Sequence, residues 1–376
     1  MTYEMNDFEI SISTLKDWNY SCTDRCALCC LCQPEILPEE AKFFRRNYSQ
    51  YLVRKSQPHK HLALSLKKER GSCSLLQDRR CSVYENRPHF CRMFPFHFHV
   101  GERLSAELNL SCRMVWDRGG IPAVDEAMRL VDENTWRITE TLKQSRQVYD
   151  EFRSNCETAG VWAEPEDLRA QLRAHLHRFA DLSFLGQLML MSYDDPELDL
   201  QSIDDKDYEY DVEEMEEAAR EAALTSLDSS DPINVPVYCA PDWSWNIYMS
   251  TSNGVEWKLL DDEGDFHHRG FVNVEQVGLL PLTPDGEEEL LRYISVLNER
   301  DSIMGNAYHL VDMYGYIDHL SNVYFGMLAV TVIDLLWRAS LLSHFHGISM
   351  DRRGMREAII FYDMDRLDAP TIGAFI

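Results

Sequence analysis

The chain has 376 residues, of which 45% are hydrophobic and 27% are charged, and it contains 14 prolines and 17 glycines. This composition is typical of folded globular proteins and excludes fibrous and largely disordered ones. The formal net charge of −26 disfavours binding to nucleic acid or to anionic membranes.

Membrane insertion and secretion are both disfavoured by the sequence. No run of about 18 uninterrupted apolar residues is present, so no membrane span is expected. The best candidate, residues 320–345, contains Asp334 and Arg338 and is interpreted as a buried amphipathic helix. The first eight residues contain Glu4 and Asp7 and lack the basic and apolar regions of a secretory signal. We therefore expect a cytoplasmic protein.

Nine of the eleven cysteines lie within 91 residues of the N-terminal third. They are Cys22, Cys26, Cys29, Cys30, Cys32, Cys73, Cys81, Cys91 and Cys112. Thiols stay reduced in the cytosol, so this density indicates metal ligation or redox chemistry rather than disulfides. Thiols packed this closely raise each other's pKa unless a cation offsets their charge. The two remaining cysteines, Cys156 and Cys239, are interpreted as small buried hydrophobic residues.

The adjacent residues Cys29 and Cys30 carry further information. Consecutive side chains cannot easily point at one tetrahedral ion, so the pair favours two centres or one polynuclear cluster. Eight thiolates could form two zinc sites of four thiolates each, or two cubane iron–sulfur clusters. Residues 1–118 hold 18 Lys and Arg against 14 Asp and Glu, a net charge of +4. We interpret this basic character chiefly as compensation for thiolate charge by Arg25, Arg79, Arg80, Arg87, Arg92 and Arg113, and only secondarily as a nucleic-acid surface.

The segment from Cys73 to Pro95 ends in a long pattern, Cys-x-x-Tyr-x-x-Arg-Pro-x-x-Cys-Arg-x-Phe-Pro. Together with the preceding cysteine run it resembles the YkgJ-type cysteine-cluster family, a zinc- or iron-chelating domain, over about residues 18–118. The chain departs from the family in having three residues between Cys22 and Cys26 and an additional Cys32, so either Cys22 or Cys32 is the odd thiol. The resemblance implies eight metal ligands: Cys22, Cys26, Cys29, Cys30, Cys73, Cys81, Cys91 and Cys112.

The local sequence around Cys91 predicts a short helix. Asn86 is expected to cap it, Arg87 and Pro88 to begin it, and Pro95 to end it after about two turns. The neighbouring aromatic residues would screen the site from water; they are Phe90, Phe94, Phe96 and Phe98. Three histidines could replace a thiolate, although a second-sphere or surface role is more common for such residues; they are His89, His97 and His99.

A competing interpretation comes from Cys22-x3-Cys26-x2-Cys29, which is also the spacing used by radical S-adenosylmethionine enzymes. The alternating strands, helices and glycine-rich segment of those enzymes are not evident, because residues 33–72 are charged and helix-like. Flagellin lysine N-methylases resemble the cysteine-cluster family, however, so S-adenosylmethionine is a possible cofactor and a basic protein a possible partner. Motifs for dinucleotide binding, nucleophilic serine hydrolysis, the Walker loop and zinc proteases are all absent.

The later part of the chain is expected to be scaffold. Residues 122–152 and 165–191 have helical spacing, and 193–232 contains 16 acidic residues, which predicts an acidic linker or an exposed helix around 212–224. Residues 236–282, with turns at Asn253-Gly254 and Glu263-Gly264, favour a small antiparallel sheet. Thr283-Pro284 should begin another helix, and 308–345 should form one or two buried helices.

The predicted fold is therefore α+β and mostly helical, with a small cysteine-rich metal-binding domain and a helical C-terminal part that includes a short antiparallel sheet. The predicted function is binding of zinc or an iron–sulfur cluster by the thiolates of the N-terminal third, and whether catalysis follows is left open. The predicted domains are a cysteine-cluster domain at 1–120, a helical segment at 121–192, an acidic linker or exposed helix at 193–232 and an α+β domain at 233–376.

Overall fold

The computed structural model describes residues 2–5, 8–23, 25–57, 59–117, 119–194, 197–205, 211–228 and 235–376. These residues form a mostly helical α+β structure with several small sheets, as the sequence predicts. Its α-helices are α1 Ala41–Asn47, α2 His89–Met93, α3 Ala123–Ala159, α4 Pro165–His175, α5 Leu182–Asp194, α6 Val212–Leu227, α7 Pro284–Glu299, α8 Asp301–Met313, α9 Leu320–His346 and α10 Arg352–Leu367.

The strands are short and belong to five sheets. They are β1 Thr2–Met5, β2 Phe8–Ser11, β3 Asn19–Tyr20, β4 Glu35–Ile36, β5 Leu52–Lys55, β6 His61–Leu64, β7 Leu76–Gln77, β8 Arg80–Cys81, β9 Phe96–Val100, β10 Leu104–Leu108, β11 Ile121–Pro122, β12 Val237–Cys239, β13 Trp245–Thr251, β14 Gly254–Leu260, β15 Phe266–Val272 and β16 Ala374–Phe375.

The largest sheet combines strands from distant parts of the chain in the order β1-β2-β10-β9-β16. β16 pairs antiparallel with β9, so that Ala374 lies opposite Val100. β2 pairs parallel with β10, with Ile10 opposite Leu104. β16, near the C-terminal end, therefore belongs to the same sheet as four strands of the N-terminal third.

The centre of the helical part is α9, which packs against α5, α6, α8 and α10. It is the one helix among the described residues that is long and apolar enough to cross a membrane, and 89% of its apolar window is buried within the protein. Its buried side chains surround the whole helix rather than one face, so it is a core helix but not the amphipathic one we predicted.

The acidic segment was predicted as a linker or an exposed helix, and part of it lies outside the described residues. The described part includes α6, which begins where Asp211 accepts a hydrogen bond from the Glu213 amide. Residues 215, 219, 223 and 227 are buried at a spacing of four, while the acidic side chains lie on the remaining surface. The helix therefore exists, but one of its faces is packed against α9 and is not exposed.

Two further helix predictions need correction. The predicted helix at 165–191 is divided into α4 and α5, because the Asp181 carboxylate accepts hydrogen bonds from the amide and hydroxyl of Ser183 and so begins a new helix. Residues 33–72 were predicted to be helix-like, but among the described residues of this range only α1 is α-helical, and β4, β6 and β5 form a three-stranded sheet. The four-residue strands contain too few apolar positions for their period to be recognised in the sequence.

The sheet predicted for 236–282 is confirmed as the four antiparallel strands β12-β13-β14-β15. The hairpin of β13 and β14 turns at Asn253, as predicted, with Thr251 opposite Gly254. The next hairpin turns at Glu263-Gly264, where Gly264 has a φ of +87° that favours glycine. α7 also begins as predicted, because the Thr283 hydroxyl accepts a hydrogen bond from the Gly286 amide.

A fully buried ion pair connects the C-terminal helices to the main sheet. Arg300 and Asp363 are each completely inaccessible to solvent, and their two N···O distances are 2.7 and 2.8 Å. The Tyr293 hydroxyl and the Leu110 amide also donate to Asp363, and Arg300 donates to the Leu108 carbonyl. Both carboxylate oxygens of Asp363 and both terminal nitrogens of Arg300 have partners, although the Arg300 Nε has none among the described residues. Loss of one partner therefore leaves a buried charge unpaired.

We predict that Asp363→Ala lowers the free energy of unfolding by about 3–5 kcal/mol, because the Arg300 guanidinium would remain buried without its counter-ion. Urea denaturation measures this change. The matched control is Glu166→Ala, whose partner Arg173 is on the surface, and the expected loss there is below about 1 kcal/mol. Equal losses in the two variants would contradict the role assigned to the buried pair.

Candidate metal centre

All nine N-terminal cysteines line one cavity of about 80 Å³. The structure therefore brings together all eight predicted ligands and also Cys32. Cys26, Cys73 and Cys112 are buried, whereas Cys22 and Cys32 are exposed at the surface. The partly buried members of the group are Cys29, Cys30, Cys81 and Cys91.

Separate backbone elements hold these thiols in place. A 3-10 turn at Leu28–Cys30 places Cys29 and Cys30 at the centre of the first loop. The Cys73 amide donates to the Cys30 carbonyl at 2.7 Å, which joins the second cysteine segment to the first. The β7-β8 hairpin presents Cys81 opposite Leu76. Backbone hydrogen bonds thus position the cysteine segments directly against one another.

Cys91 comes from α2, which begins later than predicted. The helix covers five residues from His89, and its N-cap position is Pro88 without a side-chain cap. Asn86 instead ends a preceding 3-10 turn, so the predicted cap at Asn86 is wrong. The reason is the extended backbone of Arg87 and Pro88, with ψ near +150°, which separates the turn from the helix.

Cys29 and Cys30 interact with each other. Interaction with Cys30 lowers the pKa of Cys29, whereas interaction with Cys29, together with burial, raises the pKa of Cys30. The other thiols near Cys30 are Cys73 and Cys81. The adjacent side chains therefore share one cavity and affect each other's ionisation.

Most thiols of the cavity favour the neutral form. Burial, together with the nearby Cys81 and Cys29, raises the pKa of Cys73 to about 11. Burial also raises the pKa of Cys91 and of Cys112, and neighbouring thiols add to both effects. This is the behaviour expected for crowded thiols without a cation. A metal ion that binds here must displace protons, so its affinity will depend on pH.

The sequence interpretation of Cys239 is incomplete. Cys239 is fully buried, as predicted, but its Sγ lies 4.0 Å from the Sγ of Cys26. A hydrogen bond from Cys239 is the main cause that lowers the pKa of Cys26 to about 7, while the same bond and burial raise the pKa of Cys239. Cys156 is buried in α3 and does not line the cavity, which fits its interpretation as a small hydrophobic residue.

Arginines join the cysteine loops to the C-terminal part. Arg113 donates to the Cys239 carbonyl at 2.6 and 3.0 Å and pairs with Glu357, which also accepts a hydrogen bond from the Tyr238 hydroxyl at 2.8 Å. Arg113 thus fixes the strand end that carries Cys239, while its charge is largely neutralised by Glu357.

Arg79 makes the second connection. Its guanidinium lies over the Trp245 ring at 3.7 Å from the centroid and pairs with Asp262 at 2.8 Å. The Trp245 indole N–H donates to the Cys26 carbonyl at 3.1 Å. A cation–π contact of this kind stabilises a desolvated arginine. The β13-β14 hairpin therefore supports the first cysteine loop directly.

The turn after β14 packs against the segment that precedes Cys73. A Cβ added to Gly71 would lie 2.5 Å from the Gly264 Cα. Both segments therefore need glycine where they approach each other. The Ser72 hydroxyl donates to the Asp262 carbonyl at 2.8 Å, and Lys67 pairs with Glu263 at 3.0 Å. These contacts cross the boundaries predicted between the N-terminal and C-terminal domains.

Three of the six arginines predicted to compensate thiolate charge lie at the thiol cavity. Arg79, Arg80 and Arg87 line the thiol cavity. Arg92 pairs with Glu40 at 3.3 Å, and Arg25 is exposed. The positive charge near the thiols therefore comes from these three arginines and from Arg113, which lowers the pKa of Cys26 and of Cys239.

The histidines and phenylalanines near Cys91 are distributed differently from the prediction. Phe94 lines the cavity, whereas Phe90, Phe96 and Phe98 do not. None of the three candidate histidines lines it either; these are His89, His97 and His99. Burial lowers the pKa of His89 and of His97 to about 4, so both are neutral at physiological pH.

A second cavity of about 610 Å³ adjoins the thiol cavity. Cys29, Cys32, Cys91 and Phe94 line both cavities. The second cavity, which we call the groove, extends to the residues near the C-terminal end that follow α10. The thiol cluster is therefore accessible from one side through a space large enough for a small molecule.

The donor set fits a soft or borderline metal. Thiolates are the preferred ligands of zinc and of iron–sulfur clusters. The lining is otherwise largely apolar, apart from the arginines that can offset thiolate charge. The site is therefore a candidate thiolate metal centre.

Residues 21–113 match the family model CxxCxxCC, described as "Putative zinc- or iron-chelating domain". The matched segment is about a quarter of the chain and contains all nine clustered cysteines, so the N-terminal third contains a cysteine-cluster domain of this family. The resemblance identified from residues 18–118 is thereby confirmed. No curated protein and no solved structure matches the chain. Cys239 lies outside the matched segment.

We predict that Cys239→Ala weakens metal retention in acid. Loss of the S–H donor raises the pKa of Cys26 toward its ordinary value, so protons compete with the metal at higher pH. In an acid titration with a chelator, the pH of half-release should move upward by on the order of half a unit. Cys156→Ala, which removes another fully buried thiol, is the control and should leave the midpoint unchanged. An unchanged midpoint in Cys239→Ala would refute the role of this hydrogen bond.

Proposed function

We propose that the protein binds zinc or an iron–sulfur cluster through eight thiolates of its N-terminal third, in the cytoplasm. The observation that carries this proposal is the convergence of nine cysteines from four separate segments on one cavity of about 80 Å³. Such a group of thiols has no favourable ionised state without a cation, because burial and mutual repulsion keep most of its members protonated.

The neighbours of each thiol support a division into two sets of four. The neighbouring thiols that raise the pKa of Cys112 are Cys26, Cys29 and Cys22. Cys30 lies near Cys73 and Cys81. The thiols that raise the pKa of Cys91 are, in order of effect, Cys29, Cys73, Cys32 and Cys81, so that two of the four are again Cys73 and Cys81. We therefore assign the first set to Cys22, Cys26, Cys29 and Cys112, and the second set to Cys30, Cys73, Cys81 and Cys91.

Adjacent Cys29 and Cys30 would thus serve different sets, which removes the difficulty of directing consecutive side chains at one tetrahedral ion. Cys29 also influences Cys91 in the second set, so the two sets lie close together. This proximity favours a polynuclear centre, or two mononuclear centres with little protein between them.

Cys32 is the one clustered cysteine that we do not assign to either ligand set. It is exposed, and it lies on the wall that the cavity shares with the groove. Cys22 is also exposed, but its neighbours Cys29 and Cys26 both belong to the first set, whereas Cys32 lies near Cys29 of the first set and Cys91 of the second. The structure thus favours Cys22 as the ligand and Cys32 as the odd thiol.

The protein residues around the centre have three functions in this proposal. The cysteines supply the ligand atoms, Arg79 and Arg87 offset excess negative charge, and Phe94 together with the apolar lining limits access of water. The hydrogen bond from Cys239 lowers the pKa of Cys26, whereas the pKa of most other thiols of the cavity is raised. A bound iron–sulfur centre would in addition supply electron-transfer chemistry.

The ligand assignment predicts opposite results for two cysteine variants. Cys91→Ser should lower both the metal content and the melting temperature, because metal binding closes loops of about 40 residues and contributes directly to stability. Cys32→Ser should have the same metal content and the same melting temperature as the wild type. Metal analysis of anaerobically purified protein and thermal unfolding measure the two quantities. Absorption near roughly 400 nm identifies iron–sulfur, whereas zinc is colourless.

The proposal fails if neither zinc nor iron co-purifies and every cysteine of the native protein reacts freely with an alkylating agent. The assignment of the odd thiol fails separately if Cys32→Ser loses as much metal as Cys91→Ser.

A second candidate function is methyl transfer from S-adenosylmethionine to a lysine-rich protein. The observation that favours it is the groove, whose size suits a small molecule and whose wall includes Cys29, Cys32 and Cys91. The region after residue 118 has a net charge of −30, which would attract a basic protein substrate.

Isothermal calorimetry with S-adenosylmethionine separates the two functions. If the groove is a cofactor site, protein with an intact metal centre should bind this molecule with a dissociation constant of about micromolar order. Absence of binding to protein whose metal content is full would remove the methyltransferase and leave the metal-binding function unchanged.

A further inference from the structure

Two histidines and a glutamate gather outside the thiol cavity, on the wall of the groove. Glu35 lies on β4 and His61 begins β6, while His59 lies two residues before that strand. β4 and β6 pair antiparallel with Glu35 opposite Ala63. Because side chains alternate along a strand, His61 lies on the same face as Ala63 and therefore as Glu35.

The three side chains are close enough to share one ion. One potential ligand atom from each lies within 4.8 Å of the other two. The His59 Nε2 is 3.3 Å from a Glu35 carboxylate oxygen. A tetrahedral ion with bonds of about 2.1 Å separates its ligands by about 3.4 Å. The His59 Nε2 and the Glu35 oxygen already have about this separation. The side chain of His59 is exposed, so it is free to adjust its position.

A backbone contact orients the second imidazole. The His61 Nδ1 is 2.8 Å from the His59 carbonyl oxygen. A carbonyl oxygen can only accept a hydrogen bond, so Nδ1 carries the proton and Nε2 keeps its lone pair. This is the arrangement by which proteins fix the tautomer of a metal-binding histidine.

The groove leaves space beside these residues for exchangeable ligands. It has a volume of about 610 Å³, and the thiol-bearing residues Cys29, Cys32 and Cys91 are also part of its wall. Three protein ligands with an open position are typical of sites whose metal exchanges or binds a further molecule. An isolated surface ion pair between His59 and Glu35 would not need the orientation of His61.

We propose that Glu35, His59 and His61 bind a divalent metal ion at a second site that is separate from the thiolate centre. Imidazole and carboxylate ligands suit borderline ions such as Zn²⁺ and Fe²⁺. The site would lie in the groove beside the thiol cluster, where a solvent-exposed ion could exchange. This inference uses no cysteine and does not depend on the function proposed above.

Equilibrium dialysis of the full-length protein against micromolar Zn²⁺, with its thiolate centre already loaded, tests the site. The wild-type protein should bind one zinc ion more than His59→Ala/His61→Ala. The additional zinc should be released when the pH is lowered, because protons compete with a metal ion for its imidazole ligands. Metal analysis gives the number of bound ions at each pH.

The matched control is His267→Ala/His268→Ala, which removes two other exposed histidines that contact Asp261 and Glu256. It should bind as much zinc as the wild type. Equal zinc in His59→Ala/His61→Ala and the wild type, or the same loss in the control, would overturn the proposal. The number of thiols protected from alkylation is measured alongside, so failure of the thiolate centre is distinguished from failure of this site.

Discussion

Electrostatic repulsion among thiolates is the constraint on which the rest of the structure depends. Nine sulfur-bearing side chains lie around about 80 Å³, and burial further disfavours their ionised form. The chain limits this cost with arginines on the cavity wall and with a thiol donor, Cys239, beside Cys26. A cation is the remaining partner that can hold most of these thiols ionised at neutral pH.

The C-terminal part has a larger role than a passive scaffold. β12 supplies Cys239, and β13 supplies Trp245, whose indole N–H holds the backbone of Cys26. Arg113 and Arg79 extend from the cysteine-rich part to the C-terminal one. The conformation of the first cysteine loop is therefore coupled to the packing of the four-stranded sheet, and changes in that sheet should alter the metal centre.

The features that could be predicted from the sequence are those set by local chemistry. The density of cysteines indicated one thiol-rich site, and turn residues such as Asn253-Gly254 and the Thr283 cap located a hairpin and a helix start. Asp181 and Arg87 show why other boundaries were wrong, since a capping contact and an extended dipeptide changed helix limits that apolar spacing had suggested.

Contacts between distant segments could not be predicted in the same way. Cys239 is 127 residues beyond Cys112, and nothing in its immediate sequence indicates that it lies 4.0 Å from Cys26. The cluster of Glu35, His59 and His61 likewise depends on the pairing of β4 with β6. A single sequence contains the residue types but not the strand register that brings them together.

X-ray absorption spectroscopy at the zinc or iron edge tests the central claim most directly. It is best performed on the purified His59→Ala/His61→Ala protein, so that no imidazole ligands of the groove contribute. The account predicts about four sulfur neighbours per metal at about 2.3 Å. A first shell dominated by nitrogen or oxygen at about 2.0–2.2 Å would contradict it, because the thiols of the cavity would then not be the ligands.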